Sequence, residues 1–486
     1  MQAPVSALHS SVIAESSARG RTPTLRSKVI AGGTYLLMRQ SVGMLVSAAG
    51  LLLVVKIIGP KEYGIFAATN ALHLFLQSTA AFGADVFLLR TTTDVEANDF
   101  DVAATLLLIF GVISAGLAIL CLPLLALWVP IDGFSTIGAV QFAIIPIILL
   151  GAVPRILLER ELNYKRIAEI EVISIVVFQF VALAGAWLGQ GAWALAWAFV
   201  TQQLLASVLF FRTAGYQYRP KWNWNRVKAI LAFGASYSTA NWIGQAKILV
   251  NPLIVARFGG AEAVAFVALS MRAATLFSLI TRTTGRLSLA TMPRFRQDGE
   301  RMSRAVTEGM HAHILLIGPM LVVAGVALPT LLPRVYDATW LPVLDIFPFI
   351  AVATLVQSGF SMHMSALITA GRNGAVGWCN TLHLVLIAGA TVVLVPRLGA
   401  IGYGVAEGVA ALSYLAVHYA YVREFRSTDY RLAALWCLAF ALAPFWHQVG
   451  WFSWIGTVAV MLYPPTWRTF VRYLESVWSV WRTTTP

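Results

Sequence analysis

Charge is scarce in this chain. Lys, Arg, Asp and Glu make up 12% of its 486 residues, about half the ~25% of a soluble domain, which argues against an ordinary water-soluble fold. Acids are scarcer than bases, 22 against 35, leaving a formal charge of +13. Cysteine is nearly absent. Cys121, Cys379 and Cys437 each lie inside an apolar run without zinc or redox spacing, so they read as small core residues. No Lys follows a Gly, which excludes a Gly-x-x-x-x-Gly-Lys-Ser/Thr phosphate loop and ATP-driven transport by this chain. The first 28 residues lack an apolar core long enough for a secretory signal. They read as a disordered cytosolic tail, with a transit peptide as the alternative because they hold Arg and Ser and a single acid, Glu15.

What is abundant is apolar sequence: 58% of residues are hydrophobic. About 20 apolar residues span a bilayer. Runs of that kind recur near 29–58, 65–89, 102–127, 138–158, 171–188, 192–212, 229–258, 263–285, 309–333, 341–369, 375–395, 400–422, 432–449 and 451–466. The expected fold is therefore an all-α polytopic membrane protein with about 14 transmembrane helices. The last two runs are broken by His447, Gly450 and Pro464-Pro465, and a re-entrant pair is the alternative there.

Lys and Arg are retained on the cytoplasmic side. Arg90, Arg160, Lys165, Arg212, Lys221, Arg226, Arg296, Arg372 and Arg426 fall in alternate loops, together with the basic residues of both tails. The opposite loops and their edges carry only Lys56, Lys61, Arg257, Arg334 and Arg397. This places both termini on the cytoplasmic side of the membrane, with anionic lipids, not nucleic acid, as the partners of the positive charge. The tail at 467–486 repeats Trp467, Phe470, Val471, Leu474, Trp478 and Trp481 at helical spacing. That pattern suits an amphipathic interfacial helix or a packing helix under the bundle.

The chain also echoes itself. Ile58-Gly59-Pro60-Lys61-Glu62 after the first span matches Phe258-Gly259-Gly260-Ala261-Glu262 after the seventh. Gly189-Gln190-Gly191-Ala192 matches Gly399-Ala400-Ile401-Gly402 in the same order. Six spans per repeat put both halves in one orientation about an axis along the membrane normal. The implied organisation is a tail (1–28), an N-lobe (29–212), a linker (213–228), a C-lobe (229–425), two extra helices (426–466) and the amphipathic tail. Two pseudo-symmetric six-helix lobes would enclose a central site.

The segments KIIGPKEYGIFAATNAL (56–72), LLERELNYKR (157–166), ARFGGAEAVAFVAL (256–269), SALITAGRNGAV (365–376) and PRLGAIGYGVAEGVA (396–410) resemble the Wzx-like polysaccharide flippases. These belong to the multidrug/oligosaccharidyl-lipid/polysaccharide (MOP) exporter superfamily. The resemblance implies two bundles in a V, with a cavity lined mainly by spans one, two, seven and eight. It also implies movement of an undecaprenyl-pyrophosphate-linked oligosaccharide from the cytoplasmic to the periplasmic leaflet. A polysaccharide polymerase and export machinery are further expected partners. No catalytic residue, cofactor or metal is expected.

Charges inside the bilayer cost several kcal/mol and face water or a partner. Lys247 lies near the middle of span seven and Arg272 deep in span eight, with Arg39 a third of the way into span one. Arg272, Thr275, Arg282 and Arg286 share a helical face. The last two also suit ordinary inside-facing charges, and Arg39 also suits snorkelling. Asn70, His73 and Gln77 form a stripe on span two. Ser238, Asn241 and Gln245 form one on span seven, with Lys247 and Asn251 on another. Together these residues are candidates for binding a pyrophosphate and a polar glycan, since guanidinium forks match phosphate oxygens.

Intramembrane acids are Asp85, Asp345 and Glu407. Glu407, with Asn380, Asn251 and Asp85, is a candidate ion-coupling set; a structural pairing of Glu407 is the alternative. Asp85 is also a candidate internal partner for Lys247 or Arg272. Two rival functions remain. A drug/cation antiporter of the same superfamily needs an acidic cavity. A membrane enzyme of envelope glycan synthesis needs a sizeable outer loop, and the longest, about 127–137, has Asp132 as its only charge.

Overall fold

The computed structural model describes residues 25–90, 97–275, 292 and 298–484. Among these, all regular structure is helical. In hydrocarbon each backbone N–H and C=O must be satisfied within its own segment, which long apolar runs achieve as helices.

The first half comprises α1 (Leu25–Ala80), α2 (Ala84–Arg90), α3 (Ala97–Trp128), α4 (Phe134–Ala143), α5 (Ile145–Arg160), α6 (Tyr164–Trp187) and α7 (Ala192–Ala214). The second comprises α8 (Trp224–Ala246), α9 (Ala256–Thr275), α10 (Gly299–Val335), α11 (Pro342–Thr369), α12 (Asn373–Leu398), α13 (Ile401–Ala410) and α14 (Ser413–Glu424). Then come α15 (Arg431–Leu442), α16 (Trp446–Val449), α17 (Ile455–Leu462) and α18 (Pro464–Thr484). Arg282 and Arg286 fall outside the described residues, as does most of the N-terminal tail.

Ten helical stretches among the described residues are long and apolar enough to cross a membrane, or eleven if the bent pair Gly50–Ala80 and Ala84–Arg90 counts as one. This measure gives fewer than the fourteen apolar runs for three reasons. Trp242–Thr275 runs on as one stretch where the sequence has two runs, Trp451–Leu462 is too short, and the run at 29–58 enters only through its end, from Gly50, in the bent pair. On α3, Leu120, Leu124 and Leu127 are largely exposed, as suits a surface solvated by lipid.

Gly59 breaks α1 with φ 79° and ψ 173°, and Pro60 follows it. Left-handed φ favours glycine, and proline suits the start of the next helical stretch because it needs no N–H there. Gly260 breaks α9 in the same way, at φ 75°. The sequence echo aligns Gly59 with Gly259, so the structural match is one residue out of that register. The two glutamates of the echo differ accordingly. Glu62 accepts a 2.8 Å hydrogen bond from the Ala192 N–H, whereas Glu262 is exposed.

Within the first half α1 packs on α6, α6 on α7, and α5 on both α3 and α7. In the second, α11 packs on α9, α10 and α13, and α12 on α13. The halves meet chiefly through α1 and α9. A Cβ at Gly64 would lie 1.8 Å from the Ala261 carbonyl oxygen, so backbone meets backbone there. Nearby, the Trp128 indole N–H donates to the Leu253 carbonyl at 2.9 Å. The Arg257 guanidinium stands 5.3 Å from the Trp128 ring centroid.

The segment joining the halves is docked on α3. Asp101, 5% exposed, accepts from the Tyr216 hydroxyl at 2.8 Å and lies 3.5 Å from Lys221 Nζ. Arg226 pairs with Asp99 at 2.8 Å. Burial, then the Asp101 carboxylate, pushes the Tyr216 hydroxyl pKa up, so it stays protonated and donates. α8 then starts at Asn223, whose side chain accepts from the Asn225 and Arg226 N–H groups. α18 is held at α10, where the Tyr473 hydroxyl donates to the Glu308 carbonyl at 2.8 Å. Gln448 reaches Asp345 at 3.3 Å, tying the C-terminal hairpin to α11.

Candidate functional site

The backbone leaves the α-form between α8 and α9. Lys247–Leu249 is a 3₁₀ turn and Asn251–Val255 a π turn. Pro252 lacks the N–H that an α-helix would use there, and wide turns of this kind recur at functional sites. Lys247 therefore projects from a break in the helix. At 1.5 Å per residue, about 18 Å of helix separates Gly260 from Arg272, a little over half the ~30 Å hydrocarbon thickness.

Both charges line a cavity of about 430 Å³ between the halves. Ser47 and Asn70 from α1 face them, and the Arg272 guanidinium donates to the Ser47 hydroxyl. Gln179 and Gln202 complete the polar wall. Tyr63, Phe178, Phe199 and Tyr403 supply ring surface.

Lys247 and Tyr403 also border an adjoining cavity of about 490 Å³, reached by Gln245, Gln357, His383 and Glu407. The Tyr403 hydroxyl donates to Glu407 Oε1 at 2.9 Å. A third cavity, about 230 Å³, again includes Lys247 and His383 and adds Asn380 and Ser413. His383 Nδ1 lies 2.9 Å from the Ser413 hydroxyl. Among the described residues no carboxylate lies within 4.0 Å of Lys247 or Arg272. Asp85 is therefore not an ion-pair partner of either.

The sequence-predicted residues thus separate. Asn70, Lys247, Asn251 and Arg272 share the central cavity, and Gln245, Glu407 and Asn380 border its neighbours. Gln77 and Asp85 line a further cavity of about 430 Å³, where Gln245 and Ile248 also appear. Asn251 is partly structural, since its Nδ2 donates to the Val264 carbonyl at 3.3 Å. His73 does not line a described cavity. It is fully buried, with Nδ1 2.8 Å from the Gln141 carbonyl and its ring edge-on to Phe199. The side chains of Arg39 and Asn241 lie outside the described residues.

Ser47, Gln179, Gln202, Gln357, His383 and Tyr403 escaped the sequence reading. Gln179 and Gln202 carried a signal, each being an amide inside an apolar run.

The two-halved helical bundle around a polar central cavity has counterparts among solved structures. The chain resembles the lipid II flippase MurJ in its inward closed conformation, with TM-score 0.70 and 11% identity over 92% of this chain and 100% of that one. It also resembles an inward-facing multidrug resistance MATE family transporter of the MOP superfamily. There the TM-score is 0.60, with 14% identity over 80% of this chain and 98% of that one. No curated protein matches the chain in sequence. The family described as "Polysaccharide biosynthesis protein" matches residues 53–345, more than half the chain, and the chain belongs to that family.

Proposed function

We propose that this chain is a secondary flippase for undecaprenyl-pyrophosphate-linked oligosaccharide repeat units. It carries them by alternating access from the cytoplasmic to the periplasmic leaflet of a bacterial inner membrane, with both termini cytoplasmic. The product feeds assembly of a surface polysaccharide such as an exopolysaccharide, capsule or O-antigen. One observation carries this reading: Lys247 and Arg272 line the same cavity between the halves, with no carboxylate within 4.0 Å among the described residues. A pyrophosphate leaving water needs compensating charge along its path, and these two supply it. A drug-cation antiporter would face the wrong sign of charge in this cavity. The test is a clean deletion in a strain without paralogues. Lipid-linked repeat units should accumulate on the cytoplasmic side and surface polymer should vanish; normal polymer would sink the reading.

Ion coupling is the second element of the proposal. Glu407 borders the cavity that Lys247 also borders, so a cation or proton at Glu407 would act on the headgroup site through short-range electrostatics. Glu407→Gln keeps shape and one hydrogen bond from Tyr403 but removes the charge. We expect export to fall at least about tenfold at normal abundance, as expected for a lost charge at close range. Reduced abundance instead would assign Glu407 a structural role beside Tyr403.

A further inference from the structure

α18 carries three kinds of surface. Tyr463, in extended backbone, with Pro464 and Pro465 turns the chain from α17 into α18. One face is docked. Thr466, 3% exposed, accepts from the Trp436 indole N–H at 2.7 Å, and the Tyr473 hydroxyl meets the Glu308 carbonyl of α10. At 100° per residue these two lie within about 20° of one another round the helix. Trp467 and Val471 lie about 100° and 140° from Thr466, and Arg468 and Arg472 about 200° and 240°. Trp467, Arg468 and Arg472 are exposed and Val471 is half-buried. The order round the axis is therefore docked, apolar, basic.

The two docking points fall on different helices. Trp436 lies about 8 Å along α15 from its first residue, and Glu308 about 14 Å along α10. Both helix starts are cytoplasmic in the proposed topology. Thr466 and Tyr473 are about 10 Å apart along α18. Its axis thus crosses the cytoplasmic end of the bundle from α15 to α10 instead of following the spans. We propose that α18 is a docking surface for anionic phospholipid of the cytoplasmic leaflet: Trp467 and Val471 enter the interface, and Arg468 and Arg472 hold headgroup phosphates.

Charge complementarity selects this occupant. A helix in the interface plane sinks its apolar face to the acyl boundary and keeps its basic residues among the headgroups. Trp prefers that depth, and guanidinium matches phosphate oxygens. Glu475 is the only acid of α18, against Arg468, Arg472 and Arg482. The cytoplasmic leaflet carries a negative surface potential, and each Arg close to it strengthens the contact about fivefold. A helix that served packing alone would gain nothing from Trp467 on its open side, where the residue is 58% exposed. Leu462 and Tyr463, exposed just before the turn, lead into the same apolar surface. The proposal does not depend on what the central cavity carries.

The test puts a fluorophore on the apolar face through Val471→Cys, in the full-length protein free of Cys121, Cys379 and Cys437. Single copies are held in nanodiscs of phosphatidylcholine and phosphatidylglycerol. A nitroxide quencher is carried near the headgroup of one lipid or the other, in equal amount. Quenching from phosphatidylglycerol should exceed that from phosphatidylcholine by at least about threefold, and the excess should shrink as salt is raised. Arg468→Gln combined with Arg472→Gln should abolish the excess while leaving quenching from phosphatidylcholine within about twofold, because the apolar face still enters the interface. Equal quenching by the two lipids in the parent protein, or an excess kept by the glutamine pair, overturns anionic docking. Quenching by neither lipid assigns this face to the bundle or to another protein and overturns the proposal outright. Should the glutamine pair fail to insert, the salt titration carries the test, and an excess indifferent to salt overturns the proposal.

Discussion

Lys247→Ala and Arg272→Ala are each expected to cut export of lipid-linked repeat units by about 10- to 100-fold, with the protein still inserted at normal abundance. Charge-assisted hydrogen bonds to a phosphate are worth about 1.5–3 kcal/mol each, and every 1.4 kcal/mol is about tenfold. Among the described residues neither has a carboxylate within 4.0 Å whose charge would be stranded by the substitution. Removal should therefore spare the fold, unlike removal of one member of a buried ion pair. Lys247→Arg and Arg272→Lys separate charge from geometry. Partial export is expected from both, with the larger loss at Arg272→Lys because the guanidinium fork is replaced by a point charge. Full export by both alanine variants at normal abundance would show that the headgroup takes another path.

Gly64→Val should open the end of the bundle where the halves touch. A Cβ at this position would overlap the Ala261 carbonyl oxygen at 1.8 Å and its carbon at 2.6 Å. These are backbone atoms and cannot swing aside as a flexible side chain would. Relief requires α1 and α9 to part, at a cost of about 1–3 kcal/mol or more. The readout is Ser47→Cys in a background free of Cys121, Cys379 and Cys437. With Gly64 intact, an impermeant thiol reagent added from outside should leave this cavity position unlabelled. With valine at 64 labelling should appear, and export should fall at least about tenfold. Unchanged labelling together with full export would dispose of the idea that this contact closes the cavity.

Much of the fold was legible because hydrocarbon leaves the backbone few choices. Apolar runs of membrane length become helices, and Gly59 and Gly260 mark the breaks after the first and seventh runs. The site was legible where a charge stood inside a run, as at Lys247 and Arg272. It was less legible on polar stripes. At 100° per residue Gln77 lies within about 20° of Asn70 around the helix, but His73 lies about 60° away. That difference carries His73 into contact with Gln141 and Phe199 while Asn70 stays at the cavity. Gln179 and Gln202 were missed because one polar residue on an apolar helix does not reveal which neighbour it faces. Packing of α6 and α7 against α1 decides that, and no local pattern encodes it.

The docking of the inter-half segment on α3 has a mechanical consequence. Nine free residues would make a slack tether reaching up to about 30 Å. With Tyr216 and Lys221 held at Asp101, and Arg226 at Asp99, most of that slack is gone. The segment behaves as a strut fixed to α3, and rocking of one half against the other is transmitted directly to the base of α8. Flexible residues inserted between Arg226 and Lys247 would uncouple that motion from the cavity, whereas the same insertion before Tyr216 would leave the docked strut and its leverage on α8 in place.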